Sequence, residues 1–226
     1  MTAFNGWFTN EKYIIATDTL CGLNTPYGKV YKNFLTKIYH IPQYKCCFTS
    51  QGLRDFGLEL FVFIQKETKA IGYSTLIESI KNFELSNAYD EMPPDMIGTV
   101  FLFGVNDVTN RLGMSKIYFN QNREIIIEEI FNNIDGSNKI YKPQHENIDL
   151  ETLGRELNWS NINNVYNSLI TVTKEQKKAF DKEANPFIGG QIEITTIEYS
   201  NNLYSTFTEI AYDFEDYERI SSIILK

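Results

Sequence analysis

Apolar residues in the first fifty positions recur in short, β-branched bursts rather than at helical spacing. Residues 12–17 (KYIIAT) form one such run, preceded by the turn-prone Asn10 and followed by Asp18. Two more, Lys37–Ile41 and Tyr44–Thr49, are separated by Pro42, which lacks the N–H a ladder needs. Between Cys21 and Lys32 the chain carries Gly22, Pro26 and Gly28 and reads as a loop. The period then changes. Leu53, Phe56, Leu60, Phe63 and Ile64 recur at helical spacing and predict one apolar stripe. A second helix is predicted from about Thr75, with Glu78 three residues on as a capping box. Leu76, Ile77, Ile80 and Phe83 form its expected buried face, and Pro93–Pro94 its stop.

From Thr99 the pattern returns to strands, TVFLFGVN, SKIYFN and REIIIEEI, separated by Asn, Asp or Gly. A helical region is predicted over about 149–184, with Leu153, Leu157, Ile162, Val165, Leu169 and Phe180 as core positions. Gly189–Gly190 introduces two further strands, QIEITTIEY and LYSTFTEI, and the tail after Asp213 has the spacing of a short amphipathic helix. The order of strands, helices, strands, helices and strands predicts an α+β protein. Two antiparallel sheets face to face with helices outside is the economical packing, although periodicity also fits other α+β layouts. No linker or repeat divides the chain. The expectation is one domain over residues 1–212 and a C-terminal tail over 213–226.

Composition narrows the function classes. The chain has 226 residues, 42% of them hydrophobic, enough to bury a core. Its net charge of −8, from 21 basic and 29 acidic residues, argues against a surface for nucleic-acid backbones. No apolar stretch is long enough to span a membrane, and the start MTAFNGWFTNEKY does not read as a secretory signal. Cys21, Cys46 and Cys47 suit neither a disulfide framework nor a zinc site, so a reducing, cytoplasmic location is expected. Cys46 and Cys47, adjacent on a strand, are expected to point to opposite faces as small buried hydrophobes. His40 and His145 lack any paired-ligand spacing, and no phosphate-cradling or dinucleotide motif is present. Neither a metal nor another cofactor is expected.

The chemistry that stands out lies at the start. Thr2 follows Met1, and a small second residue permits removal of the initiator methionine. A threonine at a free N-terminus carries nucleophile and base together. Its hydroxyl attacks, and its α-amine, with a pKa of about 8, accepts the proton at neutral pH. Asp18 lies sixteen residues further on, closing the run Ile14–Ile15–Ala16, and Lys37 opens a later strand.

With these residues the chain resembles the proteasome β-subunit and HslV branch of the N-terminal nucleophile hydrolases. The resemblance rests on the interval from Thr2 to Asp18, on Tyr13-Ile14-Ile15-Ala16-Thr17-Asp18-Thr19, and on Lys37-Ile38-Tyr39-His40-Ile41. Gln51, Gly52 and Asp55 fall where that family has a small-residue turn and an aspartate opening a long helix. Phe187-Ile188-Gly189-Gly190-Gln191-Ile192 is similar to its Gly-Gly segment. The resemblance implies a four-layer αββα sandwich. It implies Thr2 as nucleophile, Lys37 beside its hydroxyl, Asp18 holding Lys37, and backbone N–H groups near Gln51 and Gly52 for the oxyanion. Ser137 and Asn185 are the candidates for groups that support the amine. The chain departs from the family in three extra residues between Asp18 and Lys37, and in Gln51 where glycine is usual. Before the Gly-Gly pair, Asn185 and Ile188 stand where the family has an aspartate and a serine.

The implied activity is hydrolysis of a peptide or small amide through an acyl-enzyme on Thr2. A catalytically inactive, proteasome-like subunit with an assembly role is the alternative. A homo-oligomer is expected in either case. The competing view of Asp18 and Lys37 is a structural ion pair at a sheet end.

Overall fold

The β-branched runs fold as strands because they can bury both faces of a pleated chain. A computed structural model describes residues 3–25, 28–66, 69–131, 137–144, 146–181 and 188–224. In the first half, β1 (Phe4–Phe8), β2 (Lys12–Asp18), β3 (Leu20–Thr25), β4 (Gly28–Phe34), β5 (Ile38–Ile41) and β6 (Cys46–Gly52) precede α1 (Arg54–Lys66) and α2 (Tyr73–Ile80). The short α3 (Pro94–Ile97) leads into β7 (Gly98–Asn106), β8 (Arg111–Phe119), β9 (Ile125–Phe131) and β10 (Asn138–Lys142). Then come α4 (Leu150–Glu156), α5 (Ile162–Phe180), β11 (Gln191–Ser200), β12 (Leu203–Asp213) and α6 (Tyr217–Ile224). The protein is therefore α+β, as expected.

One five-stranded sheet has the order β10-β1-β2-β11-β12, a second has β5-β6-β7-β8-β9, and β3 and β4 form a separate ribbon. Every pairing in these sheets is antiparallel. Alternation along β2 explains its continuous apolar sequence. Tyr13 and Ile15 pack with Phe4, Phe8, Phe101 and Phe103, drawn from both five-stranded sheets. Ile14 and Ala16 pack with Val165 and Leu169 of α5. On the second sheet, Cys46 joins Phe56 and Leu60 of α1, whereas Cys47 joins the residues shared by the two sheets. The expected opposite facing of the two cysteines is thus observed.

Aromatic rings and aliphatic side chains share the space between the sheets. Phe4 stacks on Phe101 at 4.6 Å between ring centroids. Phe103 stacks on Phe8 at 6.1 Å and meets Tyr13 edge-on at 6.2 Å. Such offset and edge-to-face pairs add to what burial alone contributes.

Several boundaries differ from the sequence expectation. The predicted loop between Cys21 and Lys32 is the β3–β4 ribbon. Its Leu20 and Phe34 find apolar partners in Ile220 and Ile224 of α6, contacts that local glycine and proline content cannot reveal. The second helix starts at Tyr73, because the Thr75 hydroxyl accepts from the N–H groups of Ile71 and Gly72. Glu78 instead pairs with Lys81 at 2.7 Å, so it closes no capping box. Pro93–Pro94 does not stop that helix, which already ends at Ile80; Pro94 opens α3 at a position where its missing N–H costs nothing. The helical region divides where the Asn161 side chain caps α5 by accepting from Asn164 N–H at 3.0 Å. β10, which the sequence pattern did not predict, exists through pairing with β1. No helix of the described residues is long and apolar enough to cross a membrane.

Because Phe103 is fully buried among three aromatic rings, Phe103→Ala is expected to cost about 3–5 kcal/mol. Urea denaturation measures it, and an unchanged midpoint would contradict an aromatic core shared by the two sheets.

Candidate functional site

The last residue of β2, Asp18, is fully buried, and its carboxylate collects donors from three separate parts of the chain. Its Oδ1 accepts from Ala3 N–H at 2.8 Å. Its Oδ2 accepts from Gly189 N–H at 3.2 Å and lies 2.9 Å from Lys37 Nζ. Lys37 itself is 7% exposed and also donates from Nζ to the carbonyl of Leu20 at 2.9 Å. A buried ammonium needs such oxygen partners, since desolvation otherwise outweighs its attraction to a carboxylate. The competing expectation of an ion pair at a sheet end is met in its geometry. That pair also touches the residue next to Thr2.

Local structure brings these groups together. β1 and β2 pair with Phe4 opposite Thr17, which places Ala3 beside Asp18. β11 follows Gly189–Gly190 and pairs with β2, Ile192 opposite Asp18. Gly190 has φ +78°, and a Cβ there would lie 2.6 Å from Thr19 Oγ1 and 2.7 Å from the Phe34 ring. Only glycine combines that backbone with that approach. Thr19 Oγ1 accepts from Gln191 N–H at 2.9 Å, closing the same turn.

A fourth group, absent from the sequence reading, is Glu193 of β11. It is 8% exposed and lies opposite Thr17 of β2. Its carboxyl lies near Thr36 and Lys37, and its Oε2 is buried with no hydrogen-bond partner among the described residues. Burial pushes this carboxyl above the usual carboxylate range. The neighbouring Thr36 and the Lys37 ammonium oppose that rise, while the Asp18 charge adds to it. The signal in the sequence was its phase. In QIEITTIEYS, Glu193 shares the strand face of Ile197 and Tyr199, both buried between the sheets.

The remaining sequence candidates fall elsewhere or nearby. Thr2 and Asn185 lie outside the described residues, as does His145. Gln51 and Gly52 end β6, two and three residues beyond the Thr49–Ile38 pair that opens β5 immediately after Lys37. Gly52 has φ +107°, and a Cβ there would lie 2.5 Å from the Gly98 backbone, so close pairing with β7 already demands glycine. Ser137 is exposed and precedes Asn138, which pairs with Phe8, at the end of β1 remote from Ala3. His40 bridges the sheets by hydrogen bonds to Thr206 and Thr208 of β12 at 3.3 and 3.2 Å. No group of three potential metal-ligating side chains occurs among the described residues.

No protein-family model and no curated protein matches this chain. Solved structures do. An Anbu Gly-1 mutant from Hyphomicrobium sp. strain MC1 superposes with a TM-score of 0.61 at 11% identity, over 98% of this chain and 92% of that one. Anbu from the same strain gives 0.59 at 9% identity, over 99% and 93%. Anbu, an ancestral beta-subunit, from Yersinia bercovieri gives 0.57 at 10% identity, over 100% and 92%. The chain has the proteasome-like Anbu fold. This corrects the resemblance to the proteasome β-subunit and HslV branch, because these three solved structures are Anbu proteins. The short motifs that suggested that branch lie at a strand end and at tight turns of this chain, positions whose local spacing follows from strand and turn geometry.

Two outcomes follow from the buried charges. Asp18→Asn leaves the Lys37 ammonium without its carboxylate and is expected to cost about 3–5 kcal/mol. Asp18→Asn combined with Lys37→Met should cost less than the two single changes added together. A double-mutant cycle in urea measures this, and strict additivity would contradict the pairing. For Glu193, a carboxyl raised in the folded state favours the protonated native form. Its contribution is fully present below the ordinary glutamate range and is lost as pH rises through the raised value. Glu193→Gln should therefore be more stable relative to wild type at pH 7 than at pH 4, as read by thermal melts.

Proposed function

We propose that this protein is a threonine-type N-terminal nucleophile hydrolase that cleaves an amide, peptide or small-molecule, once Met1 is removed and Thr2 bears the free amine. The observation that carries this reading is the dual grip of Asp18. One carboxylate holds Lys37 Nζ at 2.9 Å and the N–H of Ala3 at 2.8 Å. That N–H belongs to the peptide bond formed by Thr2's own carbonyl carbon. The nucleophile candidate is thus tethered, by a single peptide link, to a buried lysine–carboxylate pair.

In the proposed reaction the Thr2 hydroxyl proton passes to the α-amine as Oγ bonds to the substrate carbonyl carbon. The Lys37 ammonium lowers the cost of the developing alkoxide. Backbone N–H groups at Gln51 and Gly52 receive the oxyanion. The carbon–nitrogen bond breaks as the leaving amine takes the proton back from the α-ammonium, leaving an ester on Thr2. Water, deprotonated by the α-amine, then attacks this ester, releasing the acid and restoring the hydroxyl. Asp18 keeps Lys37 in place throughout.

The proposal includes the four-layer αββα sandwich as scaffold. The apolar clusters that join helices α1 and α2 to the second sheet, the two sheets to each other, and α5 to the first sheet support it. It also includes self-association of the chain, which sedimentation of the purified protein measures directly.

Intact-mass and peptide mass spectrometry after treatment with a β-lactone test the chemistry. The expected result is loss of Met1 and one adduct on Thr2. Thr2→Ala should remove the adduct, and Lys37→Met should slow its formation by about 10²–10⁴-fold. Folded protein that retains Met1 and forms no adduct would overturn the hydrolase and leave the inactive, assembly-building subunit as the reading.

A further inference from the structure

Strand β12 ends its sheet, so one side of it has no neighbouring strand among the described residues. An open edge offers a row of backbone N–H and C=O groups to any strand that arrives, and proteins ordinarily guard it by shortness, proline or charge. The other three edges of the two five-stranded sheets are guarded in these ways. β5 has four residues and runs into Pro42, β9 carries Glu128 and Glu129, and β10 carries Lys139 and Lys142 and is followed by Pro143. β12 has 11 residues with no proline or lysine, and its only charges are Glu209 and the terminal Asp213. Its inner face is occupied: Tyr204 packs between the sheets, and Thr206 and Thr208 bond to His40. Near its end, Ala211 and Tyr212 pack against the cluster of Val165 and Leu169 from α5. On the outer face before that point, Leu203 and Phe207 are 74% and 60% exposed.

We infer that the edge of β12 is an interface with a second copy of this chain, formed by antiparallel pairing of β12 with its counterpart about a two-fold axis at Ser205. The inference rests on the proposed self-association and names the surface that carries it. A two-fold contact of this kind requires a strand that complements itself. With the axis at Ser205, Leu203 of each copy falls opposite Phe207 of the other, so both exposed apolar side chains gain a cross-strand partner. Glu209 falls opposite Asn201 of the β11–β12 turn, and Ser205 opposite its own counterpart. No two acidic groups meet, a condition that a chain of net charge −8 must satisfy to pair with itself. An axis at Phe207 instead sets Leu203 against Ala211, the residue that the irregular β11–β12 register leaves without a partner. The pairing at Ser205 keeps that bulge outside the contact. It makes one sheet continuous across two copies, with main-chain hydrogen bonds supplying affinity and the Leu203–Phe207 pairs supplying register.

Sedimentation velocity of the full-length protein and cross-linking of a cysteine variant test this. Wild type is expected to sediment as a dimer or a larger even-numbered assembly. Phe207→Lys and Leu203→Lys change exposed side chains outside the core, and each should weaken association at least about tenfold. Ser205→Cys, treated with a short bismaleimide, should yield a dimer in which the peptide containing position 205 is joined to a copy of itself, as read by mass spectrometry. An assembly that neither lysine variant weakens overturns the β12 interface and leaves self-association to another surface. A monomeric wild type overturns both the interface and the self-association. Weakened association in the lysine variants with no link between the two copies of position 205 overturns the two-fold register. The β-lactone adduct on Thr2 is a separate readout, so the hydrolase reading stands or falls independently of all these results.

Discussion

The carboxylate of Asp18 is the constraint on which the rest of the site depends. It is fully buried, and it accepts from backbone groups 15 positions before it and 171 positions after it while pairing with Lys37. A charge taken so far from water is tolerated only when every lone pair has a donor and every donor is held in place. The surrounding architecture meets that demand. β1 presents Ala3, the Gly189–Gly190 turn presents an amide at close range, and the joint before β5 presents Lys37. Remove any one and the others face an unmatched charge in a low-dielectric interior.

Holding three chain segments at one point requires a stiff scaffold, and the aromatic packing between the sheets supplies it. Phe4 is two residues from Thr2, and its ring stacks on Phe101 of the opposing sheet. The start of β1 is therefore fastened from both directions, by its side chain to one sheet and by its main chain to Asp18. The C-terminal helix adds to this from outside. Lys177 of α5 meets Asp216 at 3.2 Å, and Ile220 packs against Leu20, whose carbonyl receives Lys37 Nζ. An element at the far end of the chain thus braces the hairpin next to the site.

How legible this was depended on whether the signal was local. The strands from Lys12 to Asp18 and from Gly98 to Phe119 carry their assignment in composition and periodicity, because both of their faces are covered. The same holds for α1, whose stripe of Phe56, Leu60 and Ile64 is buried as expected. β3, β4 and β10 were not legible. Their residues are unremarkable for strands, and their pairing partners decide their state. At the site, the Asp18–Lys37 contact was implied by the family resemblance, and the two lie 2.9 Å apart. Ser137 was not separable from the site by sequence, because the β1–β10 register, which carries it to the other end of β1, is a non-local fact.

By itself the sequence determined the α+β class, the main strands and helices, and the residue types able to do nucleophilic amide chemistry. Each of these follows from side-chain period and from intrinsic reactivity, which neighbours in the chain already express. Only the tertiary structure decided that Glu193 belongs with Lys37 and that Gly190 must be glycine. It also decided which of several plausible polar residues share one buried space. Those outcomes depend on strand register and on the meeting of two sheets, where a shift of one residue turns a buried acid outward.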